Sequence, residues 1–156
     1  MKLFKIIALS SIITLAFFSC SKDQKYVRWI GDGDWTRTSV TLNGVEMDLG
    51  GTLTEHTQTH DVCKVKKGDC TGSNSYTLEL TVGGTLTGSS TFTYKVHEKG
   101  TKITYTVLTS TTNGVTSDCT SGCVTEFDID EISKDKHILA TTDANGDVWV
   151  RTMEKK

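Results

Sequence analysis

YTLELTVGGTLTGSSTFTYKV, residues 76–96, decides how the chain is read. Tyr76, Leu78, Leu80 and Val82 occupy every second position, and after Gly83-Gly84 so do Leu86, Gly88, Ser90, Phe92, Tyr94 and Val96. A β-strand sends successive side chains to opposite faces, so a period of two marks a pair of half-buried strands. Gly-Gly between them is a two-residue hairpin signal, because the favoured hairpin turns need positive φ. The small residues from Gly88 to Ser90 offer a place for a bulge.

Working outward, the same period continues. Residues 34–42 form a strand ended by Asn43-Gly44, and 51–60 form the next. Ile103, Tyr105 and Val107 mark another; 124–132 carries Phe127 and Ile129 on one face. Residues 137–142 and 147–153 flank an Asn145-Gly146 turn. No segment shows a helical period, and 110–122 reads as a Thr/Ser-rich loop. The 27 threonines suit strands. Eight antiparallel strands joined by short turns predict an all-β, up-and-down barrel, closed or half-open, with a flatter sheet or a sandwich as the alternative. The absence of proline removes one device for blunting sheet edges, and closure into a barrel removes the edges themselves.

The β domain spans 34–156. Before it, Lys2 and Lys5 precede an apolar run from Ile6 to Phe18, the pattern of a secretion signal. The run is shorter than the ~20 residues of a membrane-spanning helix. Phe17-Phe18-Ser19-Cys20 resembles a lipobox. That resemblance implies removal of residues 1–19 and fatty acylation of Cys20, with the protein held to a membrane through that lipid. Several acyl chains at ~0.8 kcal/mol per buried methylene make a stable anchor. Residues 20–33 then read as lipidated cysteine and polar tether, the stretch from Ser21 to Asp34 reaching roughly 45 Å when extended. Ser21 after the cysteine resembles the signal for outer-membrane retention, on the periplasmic face or at the cell surface.

The formal charge of the whole chain is −2, and losing Lys2 and Lys5 makes it −4. With no basic cluster, nucleic acid is not an expected partner. Cys63, Cys70, Cys119 and Cys123 are an even set in an exported chain and read as two disulfides. Three pairings are open. In a meander the two cysteine loops fall at opposite ends, which disfavours the crossed pairings and leaves Cys63–Cys70 with Cys119–Cys123.

Gly33-Asp34-Trp35 at the start of the first strand resembles the lipocalin Gly-x-Trp motif. Together with TSVTLNGV at 38–45 and VWVRTMEKK at 148–156, the layout is similar to the short lipocalin-like lipoproteins of the Bacteroidetes type. The resemblance implies that Trp35 closes one end of the barrel beneath Arg151.

Chemistry is sparse. His56, His60, Cys63 and Cys70 are metal-ligand types, but two histidines four apart on a strand lie ~13 Å from each other, and oxidised cysteines do not ligate as thiolates. We therefore expect no metal and no cofactor, with His56 and His60 exposed. Asp143, Asn145 and Asp147 read as turn chemistry. No GxSxG, HExxH or P-loop pattern occurs, nor a nucleophile–base pair, so a non-enzyme is expected. Tyr76, Leu78, Leu80, Phe92, Tyr94, Ile103, Tyr105, Val107 and Phe127 are the candidates for a cavity that takes a small apolar ligand. The rival expectation is a filled core in a structural or protein-interaction module of the envelope. A cavity of about 300 Å³ or more, open at one end, separates the two.

Overall fold

The computed structural model describes residues 22–48, 50–65 and 68–156. The signal segment, Cys20 and Ser21 lie outside the described residues. A helix, α1 (Lys22–Ile30), precedes ten strands: β1 (Asp34–Leu42), β2 (Val45–Glu46), β3 (Gly51–His60), β4 (Cys70–Leu80), β5 (Thr85–His97), β6 (Lys102–Thr112), β7 (Val115–Asp118), β8 (Val124–Ile132), β9 (Lys136–Thr142) and β10 (Val148–Lys155). Eight of them run β10-β9-β8-β6-β5-β4-β3-β1, and β10 pairs with β1 to close an antiparallel barrel. The short β2 and β7 are outgrowths paired with β1 and β6.

The hairpin at 76–96 forms in the expected phase, with Leu78 opposite Leu86 and Tyr76 opposite Gly88. Gly88 is required there, because a Cβ would meet the Tyr76 ring at 2.3 Å. The bulge lies elsewhere than expected. Thr91 faces Thr109 and Phe92 faces Val107, so the extra residue is Leu108 on β6. Residues 110–122 also differ from the expected loop. Asn113 and Gly114 take φ of 47° and 82°, a left-handed pair that folds β7 back on β6 as a hairpin.

The expected tether is largely helix. Val27 and Ile30 of α1 are fully buried, packing against the end of the barrel formed by β5 and β8. Asp23 in its first turn and Arg28 in its last suit the helix dipole. Gln24 donates to the Cys63 carbonyl and accepts from Val65 N–H, tying the helix to the cysteine loop. The Trp35 indole donates to the Ile30 carbonyl at 2.7 Å. Trp35 is thus buried at this end of the barrel, with α1 over it.

Buried apolar residues concentrate at this closed end: Trp35, Phe92, Tyr94, Val96, Ile103, Tyr105, Ile132, Leu139 and Met153. Above it comes a level of polar inward side chains, Gln58, Asn74, Ser90 and Arg151, and nearer the open end Leu42, Leu53, Leu86 and Trp149 are only half-buried. Disulfides Cys63–Cys70 and Cys119–Cys123 form, with Cα separations of 5.4 and 5.8 Å. The first lies at the closed end between β3 and β4, the second between β7 and β8 towards the open one.

Candidate functional site: a cationic pocket in the barrel lumen

Above the packed end lies a cavity of about 220 Å³, lined by Gln58, Asn74, Ser90, Phe92, Tyr105, Val107, Thr125, Phe127 and Arg151. Phe92, Tyr105, Val107 and Phe127 are the sequence-expected residues that reach it. Tyr94 and Ile103 do not, since they belong to the packed core below. Tyr76, Leu78 and Leu80 sit higher on β4, and Tyr76 lines a separate opening beside β1 with His56. That opening exists because β1 and β3 pair only at Asp34–Thr59 and Trp35–Gln58.

Arg151 is not where the motif implies. Strand register puts Trp35 opposite Lys155 and Arg151 opposite Val40, about 13 Å further along β10 at 3.3 Å per residue. Its guanidinium carbon lies 5.0 Å from the Phe127 ring centre and 5.5 Å from that of Tyr105, a cation–π contact with the corner that the two edge-to-face rings make. Nε and Nη2 are shut off from solvent and have no hydrogen-bond partner among the described residues. None of the ion pairs found there includes Arg151. Burial pulls its pKa below the usual arginine value, opposed only by Tyr105, yet an arginine stays charged. A guanidinium with two of its nitrogens stripped of water is destabilising unless something compensates.

Three histidines surround this charge. Contrary to expectation, His56 and His60 are buried, because β3 turns both inward with Gln58 between them. Gln58 Nε2 and the Tyr105 hydroxyl each lie 3.0 Å from His60 Nε2. With both donating, His60 is neutral and carries its proton on Nδ1, which is unpartnered. Burial, then His137 and Arg151, hold its pKa well below 6.5. His56 Nδ1 accepts from Arg37 N–H at 3.0 Å. Burial, then Arg37 and Arg151, lower its pKa to about 4. His137 is fully buried with its ring 4.6 Å from Trp35. Burial and Arg151 push it to about 3. Burial raises Tyr105 to about 12, keeping its proton on. The lumen therefore holds neutral donors and acceptors around one half-buried cation, with the Arg37 charge nearby.

Gln58, Asn74, Ser90, Thr125 and Arg151 were not among the expected cavity residues. Each stands two positions from an inward residue of its own strand: His60, Tyr76, Phe92, Phe127 and Met153. Parity alone finds them. Reading only apolar side chains misses them.

The Asp143 turn needs no ligand to explain it. Its carboxylate accepts from Asn145 N–H, Asp147 N–H and the Trp149 indole. No protein-family model and no curated protein matches the chain in sequence.

Proposed function

We propose that this chain is a lipid-anchored envelope lipoprotein of the outer membrane, attached through Cys20, whose lipocalin-like barrel binds a small, partly apolar molecule without catalysing its conversion. The observation that carries the reading is the lumen cavity, walled on one side by Phe92, Val107 and Phe127 and on the other by Gln58, Asn74 and Arg151. At about 220 Å³ it falls below the ~300 Å³ expected of a ligand pocket and is close to the liquid volume of about seven waters. A ligand of about that size fits. Calorimetric titration of the anchored chain in phospholipid nanodiscs with hexanol, empty discs serving as blank, tests it. Binding that disappears in Val107→Phe, where the added ring fills the cavity, is the expected result. Absence of heat with both hexanol and hexanoate would sink the reading. Retention of fatty-acid label by Cys20→Ser would refute the anchor.

One observation favours the rival reading, an interaction module. Val45, Val82, Val115 and Val148 stand exposed at four turns of the open end, Val82 at 91%. A rim of this kind suits a protein partner. Serine at all four positions leaves hexanol binding intact if the lumen is the site.

A further inference from the structure

We infer that the molecule held in the lumen is a small monoanion of the carboxylate class, its charged end seated on Arg151 and its apolar part against Phe92, Val107 and Phe127. This rests on the reading of the lumen as a ligand pocket and adds the ligand's charge and valence. Arg151 is the deciding residue. Its Nε and Nη2 are closed to solvent and no described residue accepts from them, and the adjacent pair of N–H groups is the fork that matches the two oxygens of a carboxylate. The rings of Tyr105 and Phe127, 5.9 Å apart and nearly perpendicular, form a corner against which the guanidinium packs. That fixes the fork before anything binds, so little orientational freedom is left to lose.

Valence follows from the surroundings. Accepting two donors leaves His60 neutral at Nε2, and His56 is neutral where it accepts the Arg37 N–H. Neither nitrogen of the buried His137 has a partner. Arg151 is thus the charged side chain in the cavity lining, and a single negative charge balances it. A phosphate dianion would bring a second negative charge for which the cavity lining holds no cation. Asn74 also lines the cavity and offers its amide to a hydroxyl or amine on the same ligand.

The test uses three probes of one chain length, hexanoate, hexanol and hexyl phosphate, titrated at pH 8 against the anchored chain in nanodiscs. Hexanoate is expected to bind at least ten-fold tighter than hexanol and no weaker than hexyl phosphate. In Arg151→Met the ratio of hexanoate to hexanol affinity falls to one or below, and in Arg151→Lys, which keeps the charge but not the fork, it falls part of the way. Equal binding of hexanoate and hexanol by the unaltered protein overturns the inference while leaving the pocket reading intact. Tighter binding of hexyl phosphate overturns the assignment to carboxylates. Silence from all three probes removes the pocket and this inference with it. The comparison within the unaltered protein decides the matter even if a variant fails to fold.

Discussion

Arg151 holds a half-buried charge that no carboxylate among the described residues neutralises, and its removal is expected to help the empty protein. Replacing a buried ion with an apolar side chain of similar volume is often stabilising by about 1–4 kcal/mol. Arg151→Met should therefore raise the urea midpoint of unfolding in ligand-free protein, with an unchanged slope. A lower midpoint would mean that the ring contacts outweigh the desolvation. Trp35 is the opposite case: it is wholly buried and hydrogen-bonded to Ile30, so Trp35→Ala should cost ~3–5 kcal/mol. The two effects should add within ~0.5 kcal/mol, since the side chains occupy different levels of the barrel. A double-mutant cycle checks this. At this scale the sequence was legible for Trp35 and not for Arg151. A Gly-x-Trp start places the indole by its own local geometry, whereas the level reached by Arg151 depends on the register of β10 against β1, including the shift between Arg37 and Ser39. Register across the closing seam of a barrel leaves no mark in the residues themselves.

Among the elements, the strands were read from their period and the helix was missed. Tyr26, Val27, Trp29 and Ile30 have the i, i+3, i+4 spacing of an apolar stripe, but nine residues with Lys22, Asp23, Gln24, Lys25 and Arg28 between them are too few and too polar to stand out. Such a short helix is marginal alone and forms because it packs. The expectation is that Ile30→Ala costs 2–5 kcal/mol and speeds amide exchange across α1 and the 61–65 loop together, because Gln24 joins them. Exchange that changes in α1 alone would show the cap and the loop to be independent. Gly100 makes the same point from the barrel side. It sits at φ 78°, and a Cβ there would come within 2.2 Å of the Tyr26 ring. The β6–β7 hairpin was missed for another reason: polar strands with both faces exposed carry no alternation to read.

For the molecule as a whole, the three buried histidines set a pH dependence. Their folded pKa values lie below the ordinary 6.5: about 3 for His137, about 4 for His56 and well below 6.5 for His60. Above pH 6.5 neither state holds the proton, and stability is complete. As pH falls below 6.5 the unfolded chain takes up protons that the folded one refuses, so stability drops towards the folded pKa by about 1.4 kcal/mol per pH unit for each histidine. Urea unfolding at pH 7, 6 and 5 should show this loss, and His137→Phe should make the decline shallower. A flat profile across that window would mean the rings are hydrated. The barrel itself was legible because alternation, turn residues and strand count agree with one another. The lumen's chemistry was not, since burial of a polar side chain at an inward position depends on the whole closed sheet.

The helix across the closed end also governs aim. With α1 beginning at Lys22, only Ser21 separates it from Cys20, and the leash shrinks from the roughly 45 Å of an extended tether to about 7 Å. If Cys20 carries the lipid, the domain stands on the bilayer like a cup on its base. Its mouth points along the membrane normal, and guests arrive from the aqueous side, not sideways out of the leaflet. Lengthening the leash with a flexible insert after Ser21 should free the cup to tilt, which spin labels at Val82 and Lys99 would report as a broadened spread of depths.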